Sequence, residues 1–435
     1  MSADRASARI VVLGGGLTGL SAAWQLREED CLLVEQAEKV GGLAATDECA
    51  GFFFDRGSHI WFTDNADADG FVKNLPGLRM QAHKRSAWVH MYNRKIPAPF
   101  QANLFGLPLH VVSDCLAGYM SASRELSKEC LDFDTWLISS FGDGIYRHFM
   151  RPYNMKVWTV APEELTTDWH GARIDVPDIR EVVDGAIGVR PNSLGMNSQF
   201  LYPVGGVQSL VTAVAQSCPN TMTGARAAAI DLQSKCITLQ DGRLIRYERL
   251  INTIPLPELV GLLSGANDAV LEAARSLRWT KVVLVSICLK LKPEHGYHWI
   301  YFPEAQYPFF RVHFPHNYSD AMCPSECGSV QAECAFSAAS ALDLESIAEE
   351  VCTGLSEAGY LDPAQVLAMH TTVVDPAYVL YDHGRRSNLE VILPFLRDHE
   401  VYSCGRFGGW QYLNMDGCIM AGKAGADWAI QEMRN

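Results

Sequence analysis

Residues 8–26 read ARIVVLGGGLTGLSAAWQL, and their order decides the fold. After Arg9 the run IVVL is short, β-branched and uninterrupted by polar residues, the composition of a strand buried on both faces of a parallel sheet. Gly14, Gly16 and Gly19 follow in the spacing G-x-G-x-x-G, and LSAAWQL continues as a helix with small residues on its packing side. CLLVE then supplies a second strand ending in Glu35, about twenty residues on, where a carboxylate accepts hydrogen bonds from a ribose. Each glycine has a physical task. Gly14 permits the tight turn, Gly16 lets a pyrophosphate approach the helix N-terminus, and Gly19 lets helix and strand pack closely. The glycines alone are a weak signal, but strand, glycines, helix, strand and acid in this order predict a Rossmann-type dinucleotide-binding unit.

The remaining composition sets the bounds. In 435 residues, 48% are hydrophobic and 20% charged, which suits two or three globular domains. The formal net charge is -14 and no run of Lys and Arg occurs, so nucleic acid is not an expected partner. An anionic ligand must therefore be held by a few local arginines. No apolar run is long enough to span a membrane, and the first residues lack a secretory signal pattern, so a cytoplasmic protein is expected. The 13 cysteines are scattered. Cys323, Cys327 and Cys334, with His313 and His316 upstream, are the densest group, and reduced thiols are expected there rather than a metal.

Further along, FDTWLISSFGDGIYRHFM (133–150) has apolar residues at helical spacing, and residues 66–165 read as a mostly helical insertion. Residues 170–205 read as irregular. CITLQDGRLIRYERLINTIP (236–255) reads as a hairpin and a strand returning to the nucleotide domain. VVLVSICLKL, HWIYFP and FFRVHF read as strands of an antiparallel sheet. The expected architecture is α/β. Residues 1–65, 206–265 and 396–435 form a discontinuous cofactor domain, 66–165 a helical substrate-binding insertion, and 166–205 with 266–395 a β-sheet substrate domain.

One stretch poses a question. FMRPYNMKVW (149–158) is bulky and apolar, yet holds Arg151, Asn154 and Lys156. Pro152 predicts a helix end or kink at Arg151. Either Arg151 snorkels to water, or it faces an anion. In FFRVHF, Phe309, Arg311 and His313 are expected on one strand face, and Trp299 and Tyr301 likewise share a face. One cleft would then receive a cation, aromatic rings and hydroxyls.

These motifs carry a resemblance. EQAEKVGGLAAT and GFFFDRGSHIWF resemble the large FAD superfamily of amine oxidases and protoporphyrinogen oxidases, in which Gly42, Asp55, Gly57 and His59 would approach the flavin. FMRPYNMKVW, HWIYFPEAQYPFFRVHFPHNYS, NSQFLYPVGG, AWVHMYNRKIPAPFQANL and GRFGGWQYLNMD together resemble the UDP-galactopyranose mutases, the eukaryotic type above all. The resemblance implies a redox-neutral interconversion of pyranose and furanose rings of a UDP-sugar on reduced FAD, with flavin N5 as the nucleophile. It implies an external reductant such as NADPH. It assigns Arg151 and Arg311 to the diphosphate and Trp136 to the uracil. Gln101 would belong to a loop over the substrate, and Asn197, Trp299, Tyr301, Tyr318, Tyr378 and Tyr412 would contact diphosphate or sugar. Arg406, Asn414 and Met415 would lie near flavin or sugar. The sequence departs from the pattern at Ala98 and Phe310, where the family carries tyrosines. An FAD oxidase or desaturase of the amine-oxidase type is the competing reading; it predicts a largely apolar channel and peroxide release.

Overall fold

The structure, a computed structural model, describes residues 5–122, 132–169, 174–189, 198–218 and 220–434. At its centre lies a five-stranded parallel sheet in the order Thr221–Met222, Cys31–Val34, Ile10–Leu13, Arg249–Asn252 and Val401–Ser403. Ile10, Val11 and Val12 are fully buried, as expected for a strand covered on both faces. The helix Leu17–Gln25 covers one face and packs along the C-terminal helix Met415–Arg434. The C-terminal segment thus returns to the nucleotide-binding unit. The hairpin Cys236–Leu239/Leu244–Arg246 and the following strand Arg249–Asn252 form as read from the sequence.

The second large sheet has seven strands: Val366–Val379, Trp279–Leu289, Gly328–Ser337, Arg311–His313, Trp299–Tyr301, Ala87–Met91 and Arg94–Pro97. All its pairings are antiparallel except that between Trp299–Tyr301 and Ala87–Met91. Here the helical expectation for residues 66–165 is corrected at residues 80–97 alone. Residues 80–97 form three strands, and two of them extend this sheet. Tyr92 and Asn93, both at φ 52°, make the two-residue turn of the hairpin, a mirror-type turn that asparagine tolerates. The irregular expectation for 170–205 is also corrected. Ile179–Ile187 is a helix with a capping box from Asp178 and Glu181, and Gln199–Pro203 is a strand paired with Met80–Lys84.

Helices Leu109–Ser121, Phe133–Ile145 and Arg151–Trp158 roof the region beside the seven-stranded sheet. The break foreseen at Pro152 is a change of helical register. A π-helical turn, Tyr146–Met150, precedes a new helix that carries Pro152 in its first turn, where no amide hydrogen is needed. Arg151 itself keeps right-handed helical angles. Among the described residues no helix is long and apolar enough to cross a membrane.

Candidate active site

The glycine turn forms a cradle. Gly14 has φ +103°, and a Cβ on Gly19 would sit 1.9 Å from the Gly14 carbonyl oxygen. By contrast, a Cβ on Gly16 would meet no atom within 4 Å. Gly16 is the N-cap of Leu17–Gln25, so open space lies where exposed amides and the helix dipole favour an anion. Gly42, at φ +57°, backs onto Gly16, with its would-be Cβ 3.1 Å from the Gly16 Cα. Glu35 is buried and accepts from the backbone amides of Gly15 (2.6 Å) and Ala37 (2.8 Å). Its carboxylate is thereby fixed at the strand end with lone pairs to spare. These features fit a dinucleotide.

The next element is the turn after the strand Phe52–Asp55. Asp55 accepts from the Thr46 and Tyr202 hydroxyls, each at 2.7 Å, and from the Val207 amide at 3.0 Å. Burial raises its pKa to about 6 despite these donors. It is thus the anchor that fixes the turn. Gly57, at φ +91°, then reverses the chain and delivers His59. Burial lowers the His59 pKa to about 4, and the Arg406 and Arg311 charges also disfavour its cation.

In the seven-stranded sheet, Tyr301, Arg311 and Glu333 stand directly opposite one another on three successive strands. Glu333 holds the Arg311 guanidinium through Nε (3.2 Å) and Nη2 (3.0 and 2.9 Å). Burial alone would raise the Glu333 carboxyl, but Arg311 and His313 outweigh it and hold it at about 2. The phenols of Tyr378, Tyr153 and Tyr301 lie within electrostatic reach of Arg311. Burial keeps Tyr153 and Tyr378 protonated by raising them well above the usual range. Phe309 does not share the Arg311 face. It packs with Ile300, Phe302 and Val312 in the opposite core, because the regular strand begins only at Arg311.

Arg151 belongs to a separate network. Its Nη1 donates to Asp134 (2.9 Å), Glu163 (2.7 Å) and the Tyr146 hydroxyl (2.6 Å). Its Nε and Nη2 have no hydrogen-bond partner among the described residues. Lys156 points inward, with Nζ bonded to the carbonyls of Phe302, Glu304 and Phe309 at 2.6–2.9 Å. Burial pulls its pKa down to about 7, yet three acceptors match the three N–H groups of an ammonium. Of the two cations in the RPYN stretch, one is a structural tie between helix and sheet.

The other expected residues are distributed as follows. Trp136 is buried between Phe133 and Phe141. Gln101 is buried and donates to the Asp175 carbonyl at 2.8 Å. Trp299 is buried, and its Nε1 has no partner among the described residues. Tyr318 is buried between Ser58 (3.2 Å) and His313 (3.4 Å). Tyr378 and Tyr412 pack edge-to-face with each other and with Trp158, and the Arg406 guanidinium lies over both phenol rings. Arg406 donates to the carbonyls of Leu413 and Ala377. Asn414 is exposed just before the helix Met415–Arg434, and Met415 is buried. Asn197 lies outside the described residues. Four residues escaped the sequence reading: Tyr153, Trp158, Trp169 and Glu333. Only Glu333 left a clear signal, as a lone carboxylate in the apolar run SVQAECAF. Cys334 lies in a different core from Cys323 and Cys327, and among the described residues no group of three or more His, Cys, Asp or Glu is arranged to hold a metal ion.

Compared with known proteins, the chain matches the flavin containing amine oxidoreductase family over residues 17–428, nearly its whole length. The chain belongs to that family. FAD is its cofactor, and the glycine cradle described above fits such a dinucleotide. Coproporphyrinogen III oxidase of Bacillus subtilis (strain 168) is 22% identical over 289 residues, 59% of this chain and 61% of that protein, so the match spans less than two thirds of the relative's length. Among solved structures, a reduced UDP-galactopyranose mutase is similar at TM-score 0.91 and 28% identity, covering 98% of this chain and 95% of that one. A putrescine oxidase with bound putrescine is similar at TM-score 0.65 and 15% identity over 98% and 99% of the two chains, which is a likeness of fold.

Proposed function

We propose that this flavoprotein is a mutase interconverting the pyranose and furanose forms of a UDP-sugar, UDP-galactose foremost. The observation that carries the reading is Arg311, largely buried, with Nη1 without a partner among the described residues and the Tyr153, Tyr301 and Tyr378 phenols around it. A fixed cation among hydroxyl donors suits a diphosphate. The likeness of the whole chain to a UDP-galactopyranose mutase supports it.

In this reading Arg311 and Arg151 each use one guanidinium edge on carboxylates and offer the other to the diphosphate. Trp136 stacks the uracil. Gln101, Trp299, Tyr301, Tyr318, Tyr378 and Tyr412 shape the nucleotide-sugar site, with Arg406, Asn414 and Met415 at its cofactor end. His59 is neutral, donates a hydrogen bond from Nδ1 to the Gly57 carbonyl, and keeps a lone pair on Nε2. As a neutral ring it can accept a hydrogen bond at Nε2 without placing a charge there. Bound and reduced, FAD would supply the nucleophile, and an external reductant such as NADPH would be needed only to prime it. The protein acts in the cytoplasm on a soluble nucleotide sugar.

The test is incubation of dithionite-reduced protein with UDP-galactofuranose and chromatography of the nucleotide sugars. Conversion to UDP-galactopyranose is expected with reduced protein and not with oxidised protein. Absence of conversion removes the assignment. The second reading, an FAD oxidase, is favoured by the coproporphyrinogen III oxidase relative. It requires substrate-dependent hydrogen peroxide from the oxidised enzyme and an organic substrate without phosphate.

A further inference from the structure

Glu333 is the one carboxylate bonded to Arg311 among the described residues, and its side chain is only 2% exposed. It does more than neutralise a charge. Both its oxygens meet the Nε/Nη2 edge of the guanidinium, the fork geometry that fixes a plane as well as a distance. Arg311 and Glu333 face each other in register, so the strand pairing sets the approach before any side chain turns.

A second contact fixes Glu333 in turn. The His313 Nε2 lies against Oε1 of the same carboxylate. An ionised carboxylate only accepts, so Nε2 carries the proton and Nδ1 is left as an acceptor. The Tyr318 hydroxyl, 3.4 Å from Nδ1, therefore donates to it, and the Ser58 hydroxyl, 3.2 Å from the Tyr318 oxygen, donates to Tyr318. The chain of bonds runs in one direction, from Ser58 through Tyr318 and His313 to Glu333, and ends on the carboxylate that also receives Arg311. Its first member adjoins His59. Glu333 Oε1 also lies beside Gly57, 3.9 Å from where a Cβ would stand. The carboxylate therefore joins the arginine in the sheet to the turn that carries His59.

We propose that Glu333 is a positioning residue for Arg311. By occupying the Nε/Nη2 edge it leaves the Nη1 side of the guanidinium for a ligand, and so fixes the direction from which a phosphoryl oxygen is bound. The inference rests on the anion-binding role given to Arg311 above. Geometry decides here, because a loose counter-ion offsets the charge without orienting the guanidinium, whereas a two-point contact fixes its plane.

Two variants separate reach from charge. Glu333→Asp keeps the charge but withdraws the carboxylate by one methylene. Glu333→Gln keeps the reach but puts an amide N–H against the guanidinium. UDP and inorganic pyrophosphate are titrated into wild type, both variants, Arg311→Met and the double variant Arg311→Met/Glu333→Gln, all as FAD-loaded protein, with flavin fluorescence and melting temperature recorded. Expected are a loss of UDP affinity of about tenfold or more in both Glu333 variants and no further loss on adding Glu333→Gln to Arg311→Met. Thermal melting decides whether a variant is folded, and Glu333→Asp serves if Glu333→Gln is not. Wild-type affinity in Glu333→Asp overturns the inference, since charge alone then suffices. Tighter binding by Glu333→Gln also overturns it, since Glu333 then only masks the cation. Additive losses in the double variant place the effect outside Arg311 and overturn it likewise. Binding of pyrophosphate but not UDP by wild type sinks the UDP-sugar reading and leaves Glu333 to be judged on pyrophosphate. Binding of neither sinks both.

Discussion

The Nδ1 of His59 donates to the carbonyl oxygen of Gly57, 3.0 Å away. The bond spans one residue, Ser58, and locks the imidazole to the turn that presents it. The other ring nitrogen is left with a lone pair. His59→Ala is expected to retain FAD, seen as flavin absorbance after desalting, and to lose turnover of UDP-galactofuranose by about 100-fold, the ordinary scale for a positioned proton acceptor. Normal turnover would make His59 a packing residue.

The glycine cradle gives a paired prediction. Gly19→Ala places a methyl carbon 1.9 Å from the Gly14 carbonyl oxygen, so the turn must open. Destabilisation of about 3 kcal/mol and loss of flavin are expected together. Gly16→Ala meets no protein atom, and the N-cap φ of -72° suits any residue. The apo-protein should melt within about 0.5 kcal/mol of wild type while FAD affinity collapses. Flavin retention by Gly16→Ala would mean that no phosphate lies at that helix end.

Arg151 offers Nε and Nη2 while Asp134 and Glu163 occupy Nη1. Arg151→Ala is expected to weaken UDP binding to the reduced protein by about 2–4 kcal/mol, and Arg151→Lys to recover only part of that, since an ammonium has no fork. Calorimetric titration of UDP checks this. Unchanged affinity in Arg151→Ala would reduce Arg151 to a partly exposed ion pair.

Lys156 makes the opposite prediction. Its removal leaves the carbonyls of Phe302, Glu304 and Phe309 without their shared donor. Lys156→Met should lower the urea-unfolding free energy by about 3 kcal/mol and leave UDP affinity of the folded protein nearly unchanged. A loss of UDP binding without loss of stability would put Lys156 in the anion site instead.

Stability should fall on the acid side. Burial lowers the pKa of His59, His90, His298 and His316 to about 4. In the unfolded chain these groups titrate near the ordinary value of about 6.5. Their neutral forms thus contribute stability that is present above pH ~6.5 and is lost as the pH falls toward ~4, up to about 3 kcal/mol each. Asp55, raised to about 6, works in the other direction, because its burial penalty is relieved as it protonates. Four imidazoles against one carboxyl leave a net loss. Urea midpoints at pH 7, 5.5 and 4.5 should fall in that order, and a flat profile would mean that the histidines are hydrated.

The nucleotide-binding unit was legible because its signals are local: a buried strand, glycines at required torsions and an acid at the next strand end. The surroundings of Arg311 were legible only as residue types. Which edge of Arg311 is free depends on Glu333, twenty-two positions away, and on strand register, neither of which spacing encodes. Residues 80–97 were missed because the helical period that follows is stronger than the short alternation of Ala87, Val89 and Met91, whose buried side chains mark the strand. Lys156 was visible as a cation in an apolar run, but nothing in the run distinguishes a ligand from three carbonyl oxygens.

The parallel sheet that opens with Ile10–Leu13 gains its last strand only at Val401–Ser403, and the helix Met415–Arg434 then packs on Leu17–Gln25. A chain growing on the ribosome therefore carries the glycine turn from the start but cannot enclose it until almost all the rest has been made. Synthesis, cofactor capture and final closure are thus ordered by topology. Arrest anywhere before residue 401 releases a polypeptide whose earliest segment is still waiting for its latest.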